Sequence, residues 1–86
     1  MKKQELILKV LEKCYFISTH SKCDVFFRYA PHVNSYDVDY YFEGWDIAKE
    51  NISIDICTKV NCENLMSTLK ELEILWQSIE ENNLSN

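Results

Sequence analysis

Apolar and polar positions alternate most clearly over residues 35–45, which read SYDVDYYFEGW. Tyr36, Val38, Tyr40 and Phe42 fall on one side, and Asp37, Asp39, Tyr41 and Glu43 on the other. Successive strand side chains point to opposite faces, so a period of two predicts a half-buried strand with one apolar and one acidic face. A similar run lies on each side of it. Cys23, Val25, Phe27 and Tyr29 alternate with Asp24, Phe26, Arg28 and Ala30, while Ile52, Ile54 and Ile56 alternate with Ser53 and Asp55. The pattern predicts three strands with residues 35–45 in the middle. Pro31 cannot donate to a ladder, so it ends the first strand or sits on its unpaired edge. Residues 31–35 then read as a hairpin connection. Gly44 closes the middle strand, and residues 45–50 form a longer loop.

Period two gives way to a helical period at both ends of the chain. Leu6, Ile7, Val10, Leu11 and Cys14 recur at three- and four-residue spacing, with Leu8 and Tyr15 at the edge of the stripe. Residues 18–22 are polar, which places the end of this helix near Tyr15 or Phe16. The second helix has a clear start: Asn61 can cap it, and Val60 can pack on Leu65 as a hydrophobic staple. Leu65, Leu69, Leu72, Trp76 and Ile79 form its seam, Ile74 lies opposite, and residues 80–86 read as a fraying polar tail. The expected fold is therefore α+β, in the order α-β-β-β-α. Short links make the sheet a three-stranded antiparallel meander, and two amphipathic helices cover one face of it.

Length and composition narrow this picture. Eighty-six residues make one small domain, which buries only roughly two-thirds of its unfolded surface. A hydrophobic content of 47% and an aromatic content of 13% supply a core and argue against disorder. One Gly and one Pro leave no room for a Gly-rich phosphate cradle. No signal-peptide core and no run of ~20 apolar residues is present, which predicts a soluble intracellular protein without a membrane role. In that compartment the four cysteines are reduced thiols. A net charge of −5 and a pI near 4.9 argue against direct nucleic-acid binding, which uses a basic patch to release counterions. The charge suits a protein partner with a basic surface, and it would equally serve to keep a small protein in solution.

If both helices cover one face of the sheet, the other is free. The pattern assigns Phe26, Asp37, Asp39, Tyr41, Glu43 and Asp55 to it, with Asp24, Arg28 and Ser53 beside them. Carboxylates two apart on a strand lie ~7 Å from one another, so the middle strand carries an acidic row next to two aromatics. Such a face fits a protein-binding platform, in which carboxylates steer a basic partner and aromatics anchor it. The alternative is a solvated face of the kind antiparallel sheets often have. Full mimicry of a nucleic-acid strand is under-supported, because duplex DNA carries roughly twenty charges per turn and this face five carboxylates and an arginine.

Other chemistries find less support. Asp37-Val38-Asp39 places two carboxylates on one face but lacks the remaining ligands and the turning loop of a cation site. Cys14, His20, Cys23, Cys57 and Cys62 would suit zinc by residue type. Cys23 opens the first strand, however, and Cys57 closes the third, ends expected ~20 Å apart. Cys14 and Cys23 read instead as small apolar residues. A Cys–His nucleophile using Cys23 or Cys14 with His20 would need an orienting group and an oxyanion pocket, and neither is visible. No catalytic residue, metal or cofactor is therefore expected.

The segment Ala30-Pro31-His32-Val33-Asn34, the alternating residues after it, and Glu43-Gly44-Trp45 resemble small phage and prophage accessory proteins, over residues 30–45. The resemblance assigns no catalytic residue. It implies a phage or mobile-element protein acting in bacterial cytoplasm, where small acidic proteins of this kind inhibit host machinery, anti-CRISPR proteins among them. The function this implies is that of an interaction module that binds and inhibits or modulates a host protein. A structural or homodimeric domain without inhibitory role is the alternative, and a small enzyme comes third.

Overall fold

The computed structural model describes residues 2–46 and 50–84. It contains α1 (Lys3–His20), β1 (Asp24–Ala30), a 3-10 turn (Pro31–Val33), β2 (Ser35–Tyr41), β3 (Ile52–Lys59) and α2 (Cys62–Leu84). The sheet is antiparallel in the order β1-β2-β3, so the architecture is the expected α-β-β-β-α. α1 packs against β1, α2 against β3, and the helices against each other. One buried cluster joins Leu6, Val10, Cys14 and Ile17 of α1 to Leu65, Leu72, Leu75 and Ile79 of α2 and to Tyr36 and Val38 of β2.

α1 runs past Tyr15 and Phe16 to His20. Its polar end does not break the helix; its side chains bond back onto the preceding turn. Thr19 Oγ1 donates to the Tyr15 carbonyl at 2.8 Å, and Ser21 Oγ to the Ile17 carbonyl at 2.7 Å. The extra turn also buries Ile17 completely. α2 begins as its sequence signals: the Asn64 N–H donates to Asn61 Oδ1 at 2.8 Å, and Val60 and Leu65 are both buried. It continues through Leu84 rather than fraying after Ile79; residues 85 and 86 lie outside the described residues. Its buried seam runs Leu65, Thr68, Leu72, Leu75 and Ile79, with Leu69 and Trp76 half-buried at the flank. Trp76 meets Phe16 of α1 edge-on at 4.9 Å.

The 3-10 turn carries the chain between β1 and β2, and Asn34 closes it at φ 51°, a left-handed conformation that asparagine tolerates well. β2 ends at Tyr41, short of the full alternating run. The Gly44 N–H donates to the Tyr41 carbonyl at 3.0 Å and Gly44 adopts φ 98°. A side chain there would be strained and would meet the Lys22 carbonyl at 3.2 Å. Phe42 falls in this turn and is partly exposed. Of the connecting loop over residues 45–50, positions 47–49 lie outside the described residues.

β3 departs most from its pattern. Its register against β2 shifts twice, between Tyr36 and Val38 and again between Val38 and Asp39. Cys57 sits at φ 49° within the first irregularity. Each bulge inserts an extra residue and changes which side chains face inward. Ile54 alone of the three isoleucines packs against the core, and Ile56 is 70% exposed. Among the described residues no helix is long and apolar enough to cross a membrane.

Candidate functional site: the uncovered sheet face

The face of the sheet away from the helices is built by β1 and β2 in strict register. Asp24 lies opposite Tyr41, Phe26 opposite Asp39, and Arg28 opposite Asp37. Two of these cross-strand pairs set an aromatic against an acid, and the third sets Arg28 against Asp37. The contacts run along diagonals, which long side chains can span in an antiparallel pair. Phe26 and Tyr41 meet edge-to-face at 5.8 Å and 86°, and Arg28 bonds Asp39 at 2.9 Å.

Most of the carboxylates here have structural work. Asp39 is only 4% exposed; besides Arg28 it accepts from Nδ2 of Asn51, at the entrance to β3. Burial of a carboxylate is tolerated because both oxygens are bonded and one partner is a cation. Asp37 Oδ1 takes the N–H of Cys57 at 2.6 Å, fixing the first bulge of β3. Asp24 Oδ2 takes the N–H of Trp45 at 2.7 Å, holding the turn after β2 against β1. The three acids pin the three strands together, each at a different point.

Of the six residues the pattern assigns to this face, Phe26, Asp37, Asp39 and Tyr41 are brought together on it. Glu43 lies beyond the end of β2, exposed in the turn. Asp55 is on the other side. The second register shift pairs it with Val38, and its carboxylate bonds Thr68 of α2 at 2.5 Å and Thr58 at 3.3 Å. Thr68 in turn lies 2.6 Å from the Tyr36 hydroxyl, so Asp55 anchors a polar chain through the core and is withdrawn from the uncovered face. Asn51 and Trp45 join the face without a sequence signal, since both are placed by the bulged return of β3 and the Gly44 turn. Trp45 stands largely exposed at its rim.

The thiols divide into two classes. Cys14 and Cys23 are buried, whereas Cys57 and Cys62 are exposed. Burial pushes the Cys14 thiol up to about 12. Cys23 is pushed up to about 11 by burial, with the neighbouring charge of Asp24 adding to it. Neither is a thiolate nucleophile in that state. His20 stacks on Phe16 at 4.1 Å and lies within 2.9 Å of the Phe16 carbonyl. Among the described residues no three His, Cys, Asp or Glu side chains converge as a metal ion would require.

Comparison with protein-family models, with curated proteins and with solved structures finds no match to this chain.

Proposed function

We propose that this chain is a protein-interaction module whose uncovered sheet face binds a partner with a basic surface. The observation that supports this is the half-exposed Phe26–Tyr41 pair, set between Asp24 and Asp37 on a face that neither helix covers. Three carboxylates against one guanidinium leave Asp24, Asp37, Asp39 and Arg28 with a net charge of −2. Because Arg28 neutralises the buried Asp39, the excess resides on Asp24 and Asp37, either side of the aromatics. Aromatic side chains anchor interfaces at low entropic cost, while exposed carboxylates act mainly on the rate and specificity of encounter.

The finer reading is that the partner is a bacterial host protein and that binding inhibits or modulates it, as an accessory protein of a phage or mobile element would. It rests on the resemblance of residues 30–45. Affinity capture from bacterial lysate tests the binding and the source of the partner, using the wild-type chain beside Tyr41→Ala and Asp37→Asn. Assay of the captured partner's activity with and without the chain tests the modulation. Asparagine at 37 keeps an acceptor for the Cys57 N–H, so only the charge is lost. A specific partner retained by wild type and weakened by both variants is the expected result.

A further inference from the structure

The sheet has two open edges, and they differ. β3 is interrupted by two register shifts and by Cys57 at positive φ, irregularities that spoil an edge for further pairing. β1 pairs with β2 residue for residue from Asp24 to Ala30, without a shift. The Val25 N–H donates to Ser18 Oγ at 3.0 Å, away from β2. Backbone groups alternate in direction along a strand, so those of Phe27 and Tyr29 also turn outward. β1 is the regular edge.

Ser18 fixes which side of α1 lies along that edge. Tyr15, Leu11 and Leu8 precede it by three, seven and ten residues, a spacing that puts all four on one helical stripe. α2 packs on a different side, where Phe16 meets Trp76. Leu8, Leu11 and Tyr15 are exposed, Tyr15 by 72%. An unpaired regular strand and an apolar helical seam therefore share one side of the molecule.

The chemistry of that side matches its own copy. On the uncovered face β1 presents Asp24 and Arg28, two residues either side of Phe26. An antiparallel copy turned about Phe26 sets each Asp24 opposite Arg28 of the second copy. Both groups have capacity left: Asp24 uses Oδ2 on Trp45, and Arg28 uses one nitrogen on Asp39. These positions are the non-hydrogen-bonded pairs of the new ladder, where opposing side chains approach most closely. A partner strand of uniform charge would mismatch one of the two.

We propose that the chain forms a two-fold homodimer by antiparallel pairing of β1 with β1 of a second copy, centred on Phe26. The two seams of Leu8, Leu11 and Tyr15 come together above the strands. The interface is isologous, so one patch serves both copies. Val25 then exchanges Ser18 for the Phe27 carbonyl of the second copy, and a six-stranded sheet presents the uncovered face twice.

Sedimentation equilibrium on the purified protein should give twice 10.2 kDa. Tyr15→Glu, placed on an exposed side chain outside the core, should weaken the dimer at least roughly tenfold. Ile74→Glu, on the exposed side of α2, should leave it unchanged. Hydrogen exchange at the Phe27 amide should slow as protein concentration rises. Should Tyr15→Glu fail to fold by circular dichroism, Asp24→Asn gives a second reading, because it keeps an acceptor for Trp45. It should weaken the dimer several-fold and reduce its salt dependence. A monomer at high micromolar concentration, or a dimer indifferent to these variants with fast exchange at Phe27, would overturn the assignment. Neither outcome bears on binding of a basic partner by a single copy.

Discussion

Arg28 bonds Asp39, 2.9 Å away on the diagonal, and not Asp37, which lies directly opposite it in the register of β1 and β2. The choice follows from burial. Asp39 is the enclosed carboxylate of the face and needs a cation, whereas Asp37 is partly solvated and already accepts the Cys57 N–H. A double-mutant cycle should show it. Alanine at Arg28 and Asp39 should couple by about 1 kcal/mol or more, and alanine at Arg28 and Asp37 by only a few tenths. Arg28→Ala alone should cost ~1–3 kcal/mol in urea unfolding, less than the loss of a fully enclosed partner because the arginine side chain is 56% exposed.

The chain Tyr36–Thr68–Asp55 makes a second prediction. Thr68 is buried and lies within bonding distance of both Tyr36 and Asp55. Replacing it with valine keeps the volume but leaves a buried hydroxyl and a carboxylate each short of a partner. Thr68→Val should destabilise by ~1–3 kcal/mol. Ser67→Ala, one position away on the exposed side of α2, should stay within about 0.5 kcal/mol.

Much of this architecture is legible in the sequence, and the failures have physical causes. The inward alternation of Tyr36, Val38 and Tyr40 survives because β2 is the middle strand, paired on both sides and in unbroken register with β1, while the extra residues of the bulges lie on β3. The isoleucines of β3 look equally regular, but an edge strand can bulge, and two bulges turn Asp55 inward and Ile56 outward. Nothing in a period-two pattern reports a bulge. The hydroxyl of Thr68 hides its place in the apolar seam of α2, although at three-four spacing it completes that seam. Residues 18–21 have poor helix propensity and so read as a stop, but the extra turn buries Ile17, and packing outweighs propensity. For the candidate site, residue types and strand placement are visible in the sequence. The partnering of Asp24, Asp37 and Asp39 is not, since it depends on where Trp45, Cys57 and Asn51 return.

The thiols predict an alkaline limit. Unfolded cysteine loses its proton near 9.0, while Cys23 and Cys14 hold theirs to about 11 and about 12 in the folded chain. Between those values the unfolded state binds fewer protons, so stability is fully present below pH 9 and falls as pH rises above it. Tyr36 and Tyr40 are also pushed up by burial and act in the same direction above pH 10. Unfolding midpoints should drop progressively above pH 9, and the drop should be smaller in Cys14→Ala, whatever its midpoint at pH 7. In native protein at neutral pH, a thiol reagent should modify Cys57 and Cys62 quickly and Cys14 and Cys23 only on unfolding.

The most direct measurement of the central claim is the binding kinetics of a captured partner, at two salt concentrations, with folded variants of the uncovered face. Asp37→Asn should slow association, with the slowing fading at high salt. Tyr41→Ala should instead speed dissociation by roughly ten- to thirtyfold, the equivalent of about 2 kcal/mol for an anchor. Ile74→Ala on the exposed side of α2 should alter neither rate. Rates unchanged by both face variants, or a loss of binding that follows Ile74, would contradict a binding role for the uncovered face.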